Sequence, residues 1–86
     1  MEKSVIKIMV MMDQTLLISQ IEEVSADIGE PDCKLIEPFT IEKDGSLAPW
    51  LIDVTDENQF MISSDKILTL AEPNSAYLTK YKNLLK

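Results

Sequence analysis

Arginine and histidine are absent from this 86-residue chain. Without histidine there is no imidazole to shuttle protons near neutral pH or to ligate zinc. Without arginine there is no planar guanidinium fork to grip phosphate. Cysteine occurs once, at Cys33, which excludes an intramolecular disulfide and fits a reducing compartment. The thiol reads as a small buried apolar residue. Glycine occurs twice and builds no phosphate-cradling loop. No apolar run approaches the roughly 20 residues of a membrane span. The apolar stretch near the N-terminus is broken by Lys7 and Asp13 and leads to no small-residue cleavage site, so it reads as part of the fold rather than as a signal peptide. These absences argue against an enzyme. No catalytic residue, metal site or cofactor is expected, and the expected location is the cytoplasm.

Positive charge is scarce and unevenly placed. From Ile8 to Asp65 the chain carries 13 acidic residues against Lys34 and Lys43. The flanks reverse this: Lys3 and Lys7 face Glu2 at one end, and Lys66, Lys80, Lys82 and Lys86 face Glu72 at the other. The body therefore carries −11 and the flanks +1 and +3, for a net charge of −7 at pH 7. Such a balance disfavours non-specific attraction to nucleic acid or anionic membrane. It allows the acidic body to meet a basic protein partner or virion component. Hydrophobic residues make up 45% and charged residues 27%, which describes a folded domain rather than a disordered one. The length implies one domain, residues 1–86, with a small core.

The apolar pattern is mostly that of strands. Val5 to Met12 is apolar apart from Lys7, and Thr15 to Val24 follows after Asp13-Gln14, which together read as a β-hairpin. The first strand puts Ile6, Ile8, Val10 and Met12 on one face and Val5, Lys7, Met9 and Met11 on the other. Both faces are apolar, so one would line the core and the other needs a helix or a neighbouring subunit. Residues 25–31 read as a loop. In the run Cys33 to Glu42, the residues Cys33, Leu35, Phe39 and Ile41 are expected to share a face. Pro38 cannot donate to a ladder, which places that strand at an edge or bends it there. A turn at residues 43–46 precedes an alternating run, Trp50 to Val54, read as a strand. Another turn covers residues 55–58, and two short strands, Phe60 to Ile62 and Ile67 to Leu70, flank residues 63–66. The period then changes. Tyr77, Leu78, Tyr81, Leu84 and Leu85 form one stripe of a helix over about 74–86, capped by Asn74 or Ser75. The strand region spans 4–71, and the whole reads as five or six short antiparallel strands in a small barrel or strongly bent sheet.

Chemistry-bearing clusters have structural readings. Residues 53–58 with Asp65 offer oxygen ligands for a hard cation but lack the EF-hand spacing, and Asp and Asn are ordinary turn formers. Glu22 and Glu23 are adjacent on a strand and point to opposite faces, so they form no acid–base pair. Cys33 has no imidazole to activate it. Trp50 and Tyr77 are suited to stacking on bases, yet no basic patch surrounds them, which favours core or interface packing.

The segment Phe60 to Pro73, FMISSDKILTLAEP, resembles the second half of an Sm-like (Hfq/LSm) domain, where a short strand, a tight loop and a second short strand run into a proline. The opening hairpin from Ile6 to Ser25, IKIMVMMDQTLLISQIEEVS, is similar to the first Sm segment. In size and character the chain is also similar to small proteins of marine phages and metagenomes. The resemblance implies a mainly β fold: a small, strongly bent antiparallel Sm-like barrel with a C-terminal helix. It further implies a cyclic homo-oligomer whose interface is carried by Phe60, Met61, Ile62, Ile67, Leu68 and Leu70. RNA is the family's ligand, and the corresponding contacts here are Ser63, Ser64, Lys66, Lys80 and Lys82. The chain departs from the family at that site. The tight loop that holds an Arg-Gly or Lys-His pair in RNA binders holds Ser63-Ser64, Ser19 stands near a glycine position, and the helix is C-terminal instead of N-terminal.

Overall fold

A computed structural model describes residues 5–85. Six strands form one antiparallel sheet: β1 (Val5–Met11), β2 (Leu16–Glu23), β3 (Cys33–Ile41), β4 (Leu47–Pro49), β5 (Gln59–Ile62) and β6 (Ile67–Ala71). A single helix, α1 (Ser75–Leu84), follows. The sheet order is β4-β3-β2-β1-β6, and β5 also pairs with β3. The sheet is not closed. The mainly β class, the antiparallel pairing and the C-terminal helix match the sequence reading. The outermost residues of the expected strand and helix ranges, 4 and 86, lie outside the described residues.

Both faces of the β1–β2 hairpin are covered, as its two-sided apolar pattern requires. Met9, Leu17, Ile21, Cys33 and Leu35 form one core, on one face of the sheet. Ile18, Phe39 and Tyr81 form a second, into which Ile6, Ile8 and Ile41 also pack. The second face is thus covered by α1 of the same chain. Met9, Leu17, Ile18 and Leu35 are fully buried, each contributing about 1.5–3 kcal/mol of hydrophobic stabilisation.

One bulge allows β3 to serve both cores. Its register with β2 runs from Ile18–Phe39 to Gln20–Ile36, so β3 advances three residues while β2 advances two. The extra step falls at Glu37-Pro38, where Glu37 adopts φ 57°. An inserted residue inverts the alternation of side chains. Cys33 and Leu35 consequently face the first core while Phe39 and Ile41 face α1. The expectation that these four residues share a face is corrected by this insertion. Pro38 bends the strand as expected, and the outer edge of β3 changes partner there, from β5 at residues 33–36 to β4 at residues 39–41.

The run from Trp50 to Val54 is not a strand. Residues 50–54 form consecutive turns, with Leu51 at φ 63°. Val54 and Thr55 each donate a backbone hydrogen bond to the Leu51 carbonyl, 3.1 Å away. Local bonding of this kind leaves the backbone groups unavailable to a ladder. The pairing expected of that run is made instead by β4, three residues earlier.

The two tight hairpins share one design. Gln14 N–H donates to Met11 O at 2.8 Å and Gly45 N–H to Glu42 O at 2.9 Å, and each donor residue has positive φ, 72° and 89°. This is a three-residue loop that ends in a left-handed residue. An aspartate precedes that residue in both. Asp13 Oδ1 accepts from Thr15 N–H at 3.0 Å, and Asp44 Oδ1 accepts from Ser46 N–H at 3.0 Å and from its hydroxyl at 2.7 Å. The Thr15 hydroxyl, then its N–H, lowers the Asp13 carboxyl below the usual aspartate value, and the Ser46 N–H, then its hydroxyl, does the same for Asp44.

Helix α1 starts at Asn74, whose side chain accepts from Tyr77 N–H at 3.0 Å. Tyr81 is fully buried, Tyr77, Leu78 and Leu85 are half-buried, and Leu84, at the margin of the stripe, is exposed. Lys80 Nζ donates to Gly45 O at 3.0 Å and lies 5.0 Å from the centre of the Tyr77 ring, which ties the helix to the second hairpin loop.

Candidate assembly surface

Strands β5 and β6 each have one partner among the described residues. β5 pairs with β3, and β6 pairs with β1. Their second edges are unpaired. A three-residue 3₁₀ turn, Ser64–Lys66, joins them, so a single copy presents two open strand edges on either side of one tight connection. Neither strand contains a charged residue: β5 reads QFMI and β6 reads ILTLA. Met61, Leu68 and Leu70 are 49%, 60% and 51% exposed. In β6 the register moves from Val10–Thr69 to Met11–Ile67, which makes Leu68 the extra residue of a bulge. Phe60, Ile62 and Ile67 are half-buried, the last two against the first core. The six residues assigned to an interface by the resemblance therefore divide into three exposed and three that also support the core.

The open end of the sheet forms a groove of about 560 Å³. β6 supplies one wall through residues 67–70, and β1 (Val5, Lys7), β2 (residues 21–23, two of them glutamates) and Cys33 of β3 also line it. Lys7 forms an ion pair with Glu72 just beyond β6. Cys33 is buried, and desolvation, with the nearby Asp32 and Glu23 charges, pushes its thiol above the ordinary value. Such a thiol is a poor nucleophile.

The 3₁₀ turn is held by Asp32, which in the sequence reads, with Asp27 and Glu30, as one of a cluster of solvated loop carboxylates. Asp32 Oδ1 accepts from Ser64 N–H at 2.7 Å, and its Oδ2 accepts from the Ser64 hydroxyl at 2.8 Å. The backbone bond, then the hydroxyl bond, lowers the Asp32 carboxyl below its usual value. Its partner lies 32 residues away, so no local pattern marks this aspartate. Ser63 is half-buried and Lys66 is exposed. A hollow of about 530 Å³ beside the turn contains Lys66 together with Asp27, Glu30, Asp32 and Asp65. Four carboxylates thus surround the loop where the resemblance would put an RNA contact. Lys80 is engaged with Gly45 and Tyr77, and Lys82 lines a separate hollow with Lys7 and Glu72. Lys66, Lys80 and Lys82 line no common cavity among those described.

Among the described residues no group of three acidic or thiol side chains is placed to hold a metal ion, and no helix is long and apolar enough to cross a membrane. The geometry defines an open antiparallel sheet with one helix packed on one face and, among the described residues, free edges on β4, β5 and β6 that carry no charge. By sequence the chain belongs to a family of unknown function (DUF6561), whose model matches residues 4–86. None of the curated proteins compared with it matches.

Proposed function

We propose that this protein is a non-enzymatic assembly module that works in the cytoplasm. Copies join head to tail, the free edge of β6 on one pairing with the free edge of β5 on the next, and the chain of contacts closes into a cyclic homo-oligomer. The observation that carries this reading is the absence of charge on β5 and β6. Strand edges that stay in water are usually protected by lysine, proline or inward charges, because an open edge recruits another strand. Here both edges are apolar, exposed and complementary in kind. A contact between two different edges of the same chain is heterologous, and it ends in a ring when the rotation closes. Main-chain hydrogen bonds would supply the pairing, and Met61, Leu68 and Leu70 would be the residues removed from water.

Light scattering after size-exclusion chromatography tests this. The expected result is a fixed multiple of the chain mass at micromolar concentration. Replacing Leu68 and Leu70 together by lysine is expected to give a monomer with an unchanged circular dichroism spectrum. A wild-type monomer at high micromolar concentration would overturn the reading.

A further inference from the structure

The β3 bulge also organises a second surface. Trp50 N–H donates to Pro38 O at 2.9 Å, and Glu37 N–H donates to Asn58 O at 2.7 Å. The two ends of the segment 50–58 are thereby fixed to one point on β3. The Trp50 ring meets Phe60 edge-on, with centroids 5.5 Å apart at 70°. Together with Pro49 these rings wall a cleft of about 230 Å³, and Glu37, Asp56 and Glu57 stand at its margin. Asn58 donates to Glu37 Oε1 at 2.7 Å and holds that carboxylate in place. Asp56 and Glu57 are exposed, and their carboxylates have no hydrogen-bond or ionic partner among the described residues.

Each physical property of the cleft selects the same kind of ligand. Aromatic faces carry negative electrostatic potential and attract a cation within about 6 Å of the ring. The marginal carboxylates add to that attraction, and the acidic body draws a basic partner toward it. The volume falls below the roughly 300–1,000 Å³ of a drug-sized site, so the cleft suits one side chain. Between the two cationic side chains, the planar and weakly hydrated guanidinium stacks on rings better than an ammonium does. We propose that the Trp50–Phe60 cleft binds an arginine side chain presented by a basic segment of another protein. The chain itself contains no arginine, so a second copy cannot supply the ligand.

The chain has one tryptophan, which makes the cleft its own reporter. The full chain is titrated at low salt with a fluorescein-labelled penta-arginine peptide and with its citrulline and lysine counterparts. Peptide anisotropy and Trp50 emission are both followed. The arginine peptide is expected to bind and change Trp50 emission, the lysine peptide to bind several-fold more weakly, and the citrulline peptide not to bind. The double variant D56N/E57Q is expected to weaken binding about tenfold, and W50L by a similar factor. The charge-matched variant D27N/E30Q, in the loop before β3 and outside the cleft lining, is expected to change it less than about twofold. Equal binding of the arginine and lysine peptides would overturn the proposal. Equal losses from the two charge-matched variants would do the same, as would binding without any change in Trp50 emission.

Discussion

The Tyr81 hydroxyl lies 2.8 Å from the carbonyl oxygen of Glu37, the residue at which β3 takes its extra step. It accepts from Gln20 N–H at 3.1 Å, and the Ile36 carbonyl oxygen is also 3.1 Å away. A phenol has one proton to give, and the shorter contact directs it to Glu37. The buried Ser19 hydroxyl joins the same group, 2.8 Å from Gln20 O and 3.1 Å from Ile36 O. A bulge leaves ladder groups unpaired, and here a helix residue far along the chain pairs them. The same ring packs edge-on against Phe39, with centroids 5.8 Å apart at 86°. Docking of α1 and bending of β3 are therefore one event.

Replacing Tyr81 by Phe keeps the ring and removes the hydroxyl. Gln20 N–H and Glu37 C=O then lack their buried partner. The expected loss is about 1–3 kcal/mol, which lowers the melting temperature of a domain this size by roughly 4–20 °C. Urea denaturation followed by Trp50 fluorescence checks it. A change within about 0.5 kcal/mol would show that water replaces the phenol in the bulge.

The same phenol predicts an alkaline limb. Burial, the largest influence, pushes the Tyr81 hydroxyl above its ordinary value of 10.0. The unfolded chain then loses this proton first, and above that pH it binds fewer protons than the folded chain. The stability that the protonated phenol contributes is accordingly fully present below a pH of roughly 10 and is lost as pH rises beyond it. Denaturation curves between about pH 9 and 11.5 are expected to fall more steeply for the wild type than for Tyr81→Phe.

The paired hairpin loops predict opposite outcomes for two small changes. Gln14 occupies a left-handed position without being glycine, so Gln14→Gly is expected to raise stability by about 0.5–1 kcal/mol. Gly45 occupies the equivalent position at φ 89°, and a Cβ there would lie 3.1 Å from the Tyr77 hydroxyl oxygen. Gly45→Ala is expected to cost about 1–2 kcal/mol. Thermal melts of the two variants beside the wild type give both signs in one experiment.

Cys33 is predicted to be inert in the folded protein. It is 5% exposed, and burial first, then its acidic neighbours, keeps the thiol protonated. A disulfide reagent at pH 8 is expected to react about a hundredfold more slowly with the native chain than with the chain in denaturant. Equal rates would mean that the groove floor opens freely.

Much of the strand order is legible in local pattern. The hairpin Val5 to Val24, the turns at residues 43–46 and the helical stripe ending at Leu85 all follow from periodicity and turn chemistry. The misreadings have a common physical source. Trp50 to Val54 alternates like a strand, but its backbone bonds to itself around Leu51. Cys33, Leu35, Phe39 and Ile41 alternate like one face, but an inserted residue at Glu37-Pro38 inverts the second pair. Period-two reasoning presumes an unbroken ladder, and a single bulge reverses everything beyond it. The candidate surface was legible in part. Met61, Leu68 and Leu70 are apolar strand residues in the sequence, while the free edges beside them exist only once β5 has joined β3 and β6 has joined β1.

Taken alone, the sequence determined which chemistry is missing and that two apolar faces needed cover. With no imidazole, guanidinium or thiol pair, those limits hold in any fold. Tertiary structure decided which element covers the second face, because only docking brings Tyr81 to Gln20 and Glu37. It also decided the state of the loop at Ser63-Ser64. Its local residues leave a hydroxyl free for any partner, but the pairing of β5 with β3, Cys33 opposite Ile62, places the Asp32 carboxylate against Ser64 and commits that hydroxyl within the chain.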